Sequence, residues 1–278
     1  IMSIINYTKE LPDYKQLREY SPSVISRLYT GNGSPLAEFS VQNRIFVPTS
    51  SMPELVKNAF VAAEDKNFFK HKGVDLISIL KAFIINFYNV YEGKRLVGAS
   101  TITQQVAKNF LLSNEVSLNR KIKEALLALR IERILSKERI LELYLNEIFL
   151  GLRSYGVAAA ALNYFNKSLD ELELEEIAYL AGLPKGPNNY HPVKNKKAAI
   201  SRRNYVLNRM QEDGIIQKAD AIKASLKPIE KINKEEKKSI YAPYFIEEVR
   251  RKIIDDYGEN SLYREGLNII TTIDPVLQ

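Results

Sequence analysis

The sequence predicts a mainly α protein. Between residues 51 and 212 apolar side chains recur at helical spacing in segment after segment, while strand-like runs are confined to the first 48 residues and to Leu267–Thr272. The composition agrees, since 278 residues at 45% hydrophobic content can bury a large core.

From Leu11 to Pro48 the chain is rich in Pro, Gly and Ser, with β-prone runs at Val24–Tyr29, Leu36–Phe39 and Arg44–Val47. This is an extended lead-in with a small hairpin turning at Asn32-Gly33. Ser51-Met52-Pro53-Glu54 offers a capping box with Pro in the first turn, so a helix is expected from Ser51 to about Glu64-Asp65, with Leu55, Val56, Ala59, Phe60 and Ala63 as its stripe. Further helices are expected at roughly 75–91, 101–111, 118–135, 137–149, 154–163, 170–182 and 196–212. After Asp213-Gly214 comes another helix-like stretch, then the charged run Lys227–Lys238, read as a linker. The layout is thus a lead-in (1–39), a helical domain (40–225), a linker (226–240) and the start of a second unit (241–278), which stops before it can form a core.

With no Cys and only His71 and His191, neither a disulfide framework nor a Cys/His zinc site can be assembled, and no metal ligands are assigned. The net charge of +7 and pI near 9.2 suit nucleic acid, an anionic membrane surface or a phosphate-bearing substrate. No run of about 18 apolar residues occurs, so no complete transmembrane helix is legible, and Ile1-Met2-Ser3-Ile4-Ile5 reads as the trimmed end of one or as nothing.

Three clusters carry chemistry. Glu64-Asp65-Lys66-Asn67-Phe68-Phe69-Lys70-His71-Lys72-Gly73 sits at a helix end, where the macrodipole and the neighbouring Asp65 should both raise the pKa of Glu64 toward that of a general base. A solvated helix end is the alternative. Gly98-Ala99-Ser100-Thr101 then leads into a helix on which Thr101, Gln105 and Lys108 share a face, a place for phosphate oxygens; the blander reading, that Thr101 caps the helix with Gln104, can hold at the same time. Arg120-Lys121-Ile122-Lys123-Glu124 opens a long amphipathic helix, and taken alone its charges read as local ion pairs. Two later segments, Glu138–Gly151 and Gly156–Phe165, look architectural. Between the first two clusters, Val74–Tyr91 is apolar on nearly every side but too short to span a bilayer, so it is either a buried helix or one that dips into the interface.

In this order, the Glu-Asp-x-x-Phe-x-x-His-x-Gly, Gly-x-Ser-Thr-x-Thr-Gln-Gln, Arg-Lys-x-x-Glu, Tyr-Leu-Asn and Ala-rich Tyr-Phe segments resemble the motifs of glycosyltransferase family 51, peptidoglycan polymerases with a lysozyme-like α-helical fold. The resemblance covers roughly residues 40 to 225. The flanking segments resemble class A penicillin-binding proteins, in which a membrane anchor precedes this domain and a transpeptidase region follows. The resemblance implies that lipid II is polymerised into β-1,4 glycan with inversion at the donor C1 and release of the undecaprenyl diphosphate carrier. Glu64 would be the base acting on the acceptor 4-hydroxyl, with Asp65, Phe68 and His71 shaping its site. Glu124 would be the second catalytic carboxylate, and Ser100, Thr101, Gln105, Lys108, Arg120 and Lys121 would surround the diphosphate. The apolar helix would become a membrane contact through Leu76, Ile79, Leu80, Phe83, Ile84 and Phe87.

No cofactor is implied, although a divalent cation (Mg or Mn) at the diphosphate is left open. The implied partners are lipid II, the growing lipid-linked strand, the membrane and other cell wall synthesis proteins, not nucleic acid. The implied location is the outer face of the bacterial cytoplasmic membrane. Ala99 departs from the family's frequent Gly without expected consequence. Rival readings are a lysozyme-like glycan hydrolase, which has no use for diphosphate-directed cations, and a non-catalytic membrane-binding helical module, which leaves Glu64 and Glu124 unexplained. Ser78-x-x-Lys81 and Ser117-x-Asn119 match two transpeptidase motifs, but they fall on segments already assigned, and Lys-Thr-Gly is missing.

Overall fold

A computed structural model describes residues 11–20, 25–39, 43–93, 98–113, 115, 117–229 and 242–278. Ile1–Ile5, Val24 and residues 230–240 of the expected linker lie outside these.

The architecture is mainly α, as expected. The helices are α1 (Glu54–Glu64), α2 (Leu76–Tyr91), α3 (Ile102–Leu111), α4 (Leu118–Ile131), α5 (Lys137–Glu147), α6 (Val157–Phe165), α7 (Leu174–Gly182), α8 (Lys196–Glu212), α9 (Lys218–Leu226), α10 (Pro243–Tyr257) and α11 (Glu259–Arg264). The strands are β1 (Ser26–Tyr29), β2 (Pro35–Phe39), β3 (Asn43–Arg44), β4 (Ser154–Tyr155) and β5 (Asn268–Ile270).

Local chemistry sets most boundaries. Ser117 and Ser136 cap α4 and α5 by accepting from the amides of Arg120 and Arg139. The expected capping box at Ser51 does not form. Thr49–Ser51 makes a 3-10 turn and α1 begins after Pro53, which lacks a capping side chain. The expected helix 118–135 ends at Ile131, where a tight turn leads to the Ser136 cap. The helix expected from 154 starts at Val157, because Ser154 and Tyr155 pair in parallel with β3. That pairing is all that forms of the expected Arg44–Val47 strand. Asn146 of the Tyr-Leu-Asn segment explains the rest: its side chain accepts from the Val47 amide and donates to the Val47 carbonyl, both at 2.9 Å, so one amide group replaces a strand partner.

The main core joins α1, which packs against α7 and α8, to α3, which packs against α4 and α5. Phe60, Ile102, Leu127, Ile131 and Ile140 are fully buried within it. Arg203 is also buried, and its guanidinium donates to the carbonyls of Ser225 and Lys227, which closes the end of α9.

A second, smaller core overturns one expectation. Of the expected second unit, residues 242–278 do share in a core, because β5 pairs in parallel with β1, which pairs antiparallel with β2. Leu28, Leu36 and Phe39 of the hairpin are buried there with Ala242 and Leu262. The hairpin turn spans Thr30–Ser34, with Gly33 at φ +82° and the Asn32 side-chain oxygen Oδ1 accepting from the Thr30 hydroxyl and the Ser34 amide.

Candidate active site

The end of α1, the loop entering α3, the first turns of α4, one side of α2 and the middle of α8 enclose a cleft of about 700 Å³. Eight lysines and arginines line it against four carboxylates, so its field favours an anion. Glu64, the last residue of α1, reaches it. One carboxyl oxygen accepts from Gln105 Nε2 at 2.9 Å, and the other lies 3.5 Å from the Arg202 guanidinium. Burial raises the Glu64 pKa; Gln105, Arg202 and Lys185 oppose the rise, and Asp65 adds to it. The direction is the expected one, but desolvation drives it more than the neighbouring charge does.

Asp65, Phe68 and His71 stand behind this group. Asp65 is 7% exposed and accepts from the Ile102 amide at 2.9 Å and from His71 Nε2 at 3.0 Å. His71 Nδ1 accepts from the Gly73 amide, which leaves the ring proton on Nε2, facing Asp65. Phe68 is fully buried, with the Lys137 ammonium 4.5 Å from its ring centre. Gly73, at φ +96°, lies so close to α4 that a Cβ would stand 2.6 Å from the Ala128 carbonyl oxygen.

At the start of α3, groups expected around a phosphate already have partners in the protein. Asp65 already holds the Ile102 amide. The Thr101 hydroxyl is spent on the Gln104 amide and on the Gly73 carbonyl, at 3.1 and 2.6 Å. Thr101 is 2% exposed, so it acts as the cap. The charge that can meet an anion is carried by side chains. Arg120 and Lys121 both donate to Glu124, Lys121 also reaches Ser100 Oγ at 2.6 Å, and Lys108 lines the cleft without an ion pair among the described residues. Glu124 is 2% exposed and thereby fixes two cations at the cleft wall. Each Glu124 oxygen is taken by a cation, and no three described His, Asp or Glu side chains converge on one point.

The apolar helix α2 is not buried; only Ala82 is. Leu76, Leu80, Phe83 and Phe87 are 74, 62, 71 and 73% exposed, and Ile79 and Ile84 are exposed as well. No helix among the described residues is long and apolar enough to cross a membrane.

Sequence reasoning missed Arg202, Lys185 and Tyr144. Arg202 is held by the Gly182 carbonyl at 3.0 Å and stacked on Tyr205. The Tyr144 hydroxyl is buried without a partner among the described residues, and burial together with the charges of Glu64 and Asp65 pushes its pKa well above the usual value.

The sequence and the fold have known counterparts. The chain belongs to the Transglycosylase family, whose sequence model matches residues 32–211. It is 46% identical to Penicillin-binding protein 1A of Rickettsia bellii (strain RML369-C), over 99% of this chain and 35% of that protein. It is 44% identical to Penicillin-binding protein 1A of Aquifex aeolicus (strain VF5), over 99% and 37%. The 2.6 Å crystal structure of Penicillin-binding protein 1A from Haemophilus influenzae is similar with a TM-score of 0.55 at 30% identity, over 92% of this chain and 28% of that one. The chain spans about a third of the length of the two relatives named first.

Proposed function

We propose that this chain is a peptidoglycan glycosyltransferase that extends glycan strands from lipid II at the outer face of the bacterial cytoplasmic membrane. The reading rests on one juxtaposition: the Glu64 carboxyl, 13% exposed, shares a cleft with Lys108, Arg120 and Lys121, and that cleft opens beside the exposed apolar helix α2. Glu64 takes the proton of the acceptor 4-hydroxyl as that oxygen bonds to the donor C1. The C1–O bond to the diphosphate breaks on the opposite face, which inverts the centre. The departing diphosphate gathers negative charge, which Lys108, Arg120 and Lys121 stabilise. Glu124 keeps Arg120 and Lys121 in place. A glycan hydrolase would gain nothing from these cations. The lipid tail of the substrate is held along Leu76, Leu80, Phe83 and Phe87, with these side chains in the bilayer surface. Residues 40–225 form the catalytic domain in this reading, and 241–278 lead toward a transpeptidase region.

The test is polymerisation of fluorescent lipid II by the wild-type chain and by Glu64→Gln, with and without moenomycin, read as ladders on a gel. Ladders from the wild type that vanish in the variant and with the inhibitor support the reading. Shortening of preformed glycan, or no product from the wild type, overturns it.

A further inference from the structure

We infer that the turn between α1 and α2 is a binding element for anionic lipid headgroups, so that this face engages a negatively charged bilayer in preference to a neutral one. The inference rests on the reading that α2 lies in the membrane surface, and it concerns a different set of residues.

From Lys66 to Tyr91 the chain has one carboxylate, Asp75. It is 6% exposed and fully engaged, accepting from the Ser78 amide and hydroxyl at 3.0 and 2.6 Å and from Asn67 at 2.8 Å. Those hydrogen bonds outweigh its burial and bring its pKa down to about 2. The remaining charge of the stretch is therefore positive. Lys66 is paired with Asp213, whereas Lys70, Lys72 and Lys81 are exposed and have no ion-pair partner among the described residues.

Position gives these lysines their meaning. Asn67 ties the turn to the cap of α2, so Lys70 and Lys72 are held at the end of the helix where Leu76 and Ile77 are 74 and 64% exposed. Phe69, directly before Lys70 in the chain, is itself 56% exposed. An aromatic ring and cations beside an all-round apolar helix are the components of an interfacial anchor: the ring and the helix enter the headgroup region, while the ammonium groups remain at the level of the phosphates. A protein partner would need carboxylates set among apolar groups, whereas an anionic bilayer presents both over the whole face at once.

A lysine near an anionic leaflet strengthens partition by roughly 1 kcal/mol, which is about fivefold in affinity. The experiment is co-sedimentation of the full chain with vesicles of phosphatidylcholine alone and with 30% phosphatidylglycerol at low salt, comparing wild type, K70Q/K72Q and Phe83→Glu. We expect the double variant to lose on the order of 25-fold of its affinity for the anionic vesicles and little for the neutral ones. Phe83→Glu should lose both, and lipid II polymerisation in detergent by K70Q/K72Q should match the wild type. An unchanged preference for anionic vesicles in K70Q/K72Q overturns this inference and leaves the membrane reading of α2 intact. Wild-type chain that sediments with neither vesicle overturns both.

Discussion

Asp65 and His71 should be energetically coupled, because the carboxylate is the partner of the ring and the ring cannot turn away. Both side chains are nearly buried, at 4 and 7% exposure. Asp65→Asn keeps an oxygen for the Ile102 amide but sets an N–H group against the Nε2–H of His71. The ring cannot escape by moving its proton to Nδ1, since that atom accepts from the Gly73 amide at 3.1 Å. The variant therefore loses the ionic character of two buried hydrogen bonds and gains one opposed pair of donors, at a cost of about 2–3 kcal/mol. At roughly 2–4 °C per kcal/mol for a chain of this size, the melting temperature should fall by about 5–10 °C. In a His71→Ala background only the contact with Ile102 is affected, and the same substitution should cost about 1 kcal/mol. Urea titration of the four proteins of this cycle measures the coupling. Equal costs in the two backgrounds, within about 0.5 kcal/mol, would refute the argument.

The raised pKa of Glu64 has two further consequences. Polymerisation rate should fall with decreasing pH at a pH above the usual carboxylate value of 4.5, and an acid limb at or below that value in a pH–rate profile would contradict the role given to burial. A carboxylate whose pKa is higher in the folded state contributes stability below its unfolded pKa and loses it as pH rises through the folded value. Glu64→Gln should therefore melt above the wild type at neutral pH and level with it in acid; a lower melting temperature at pH 7 would contradict this. Gly73→Ala combines a positive φ of +96° with a Cβ 2.6 Å from a backbone oxygen. It should cost about 3–4 kcal/mol and lower the melting temperature by roughly 10 °C in calorimetry.

What could be read from the sequence followed the range of the interactions. Helix spacing and caps are local, so α2, α3, α4, α5 and α8 fall within a few residues of expectation. The pairing of Glu64 with Gln105 spans 41 residues and was approached only through family motifs. Arg202 lies 138 positions from Glu64, and no local signal joins them. One trace was present: Arg202 and Arg203 sit beside the core residues Ala199, Val206, Leu207 and Met210, and a cation at core spacing requires partners. Thr101 illustrates the opposite difficulty. A helix start rich in hydroxyls reads as an anion site, and only the fold reveals that Asp65 has already supplied the anion.

The parallel union of β1 with β5 gives the chain a mechanical character. Tension applied before Ser26 and after Ile273 pulls the two strands along their length in opposite directions. The bonds from Arg27 to Leu267, from Thr271 to Tyr29 and from Gly31 to Ile273, at 2.8, 2.9 and 3.0 Å, then bear the load together instead of opening one after another. A pull between those two points is thereby short-circuited through the small sheet, and the helices that build the cleft, strung between residues 54 and 226, are shielded from the strain.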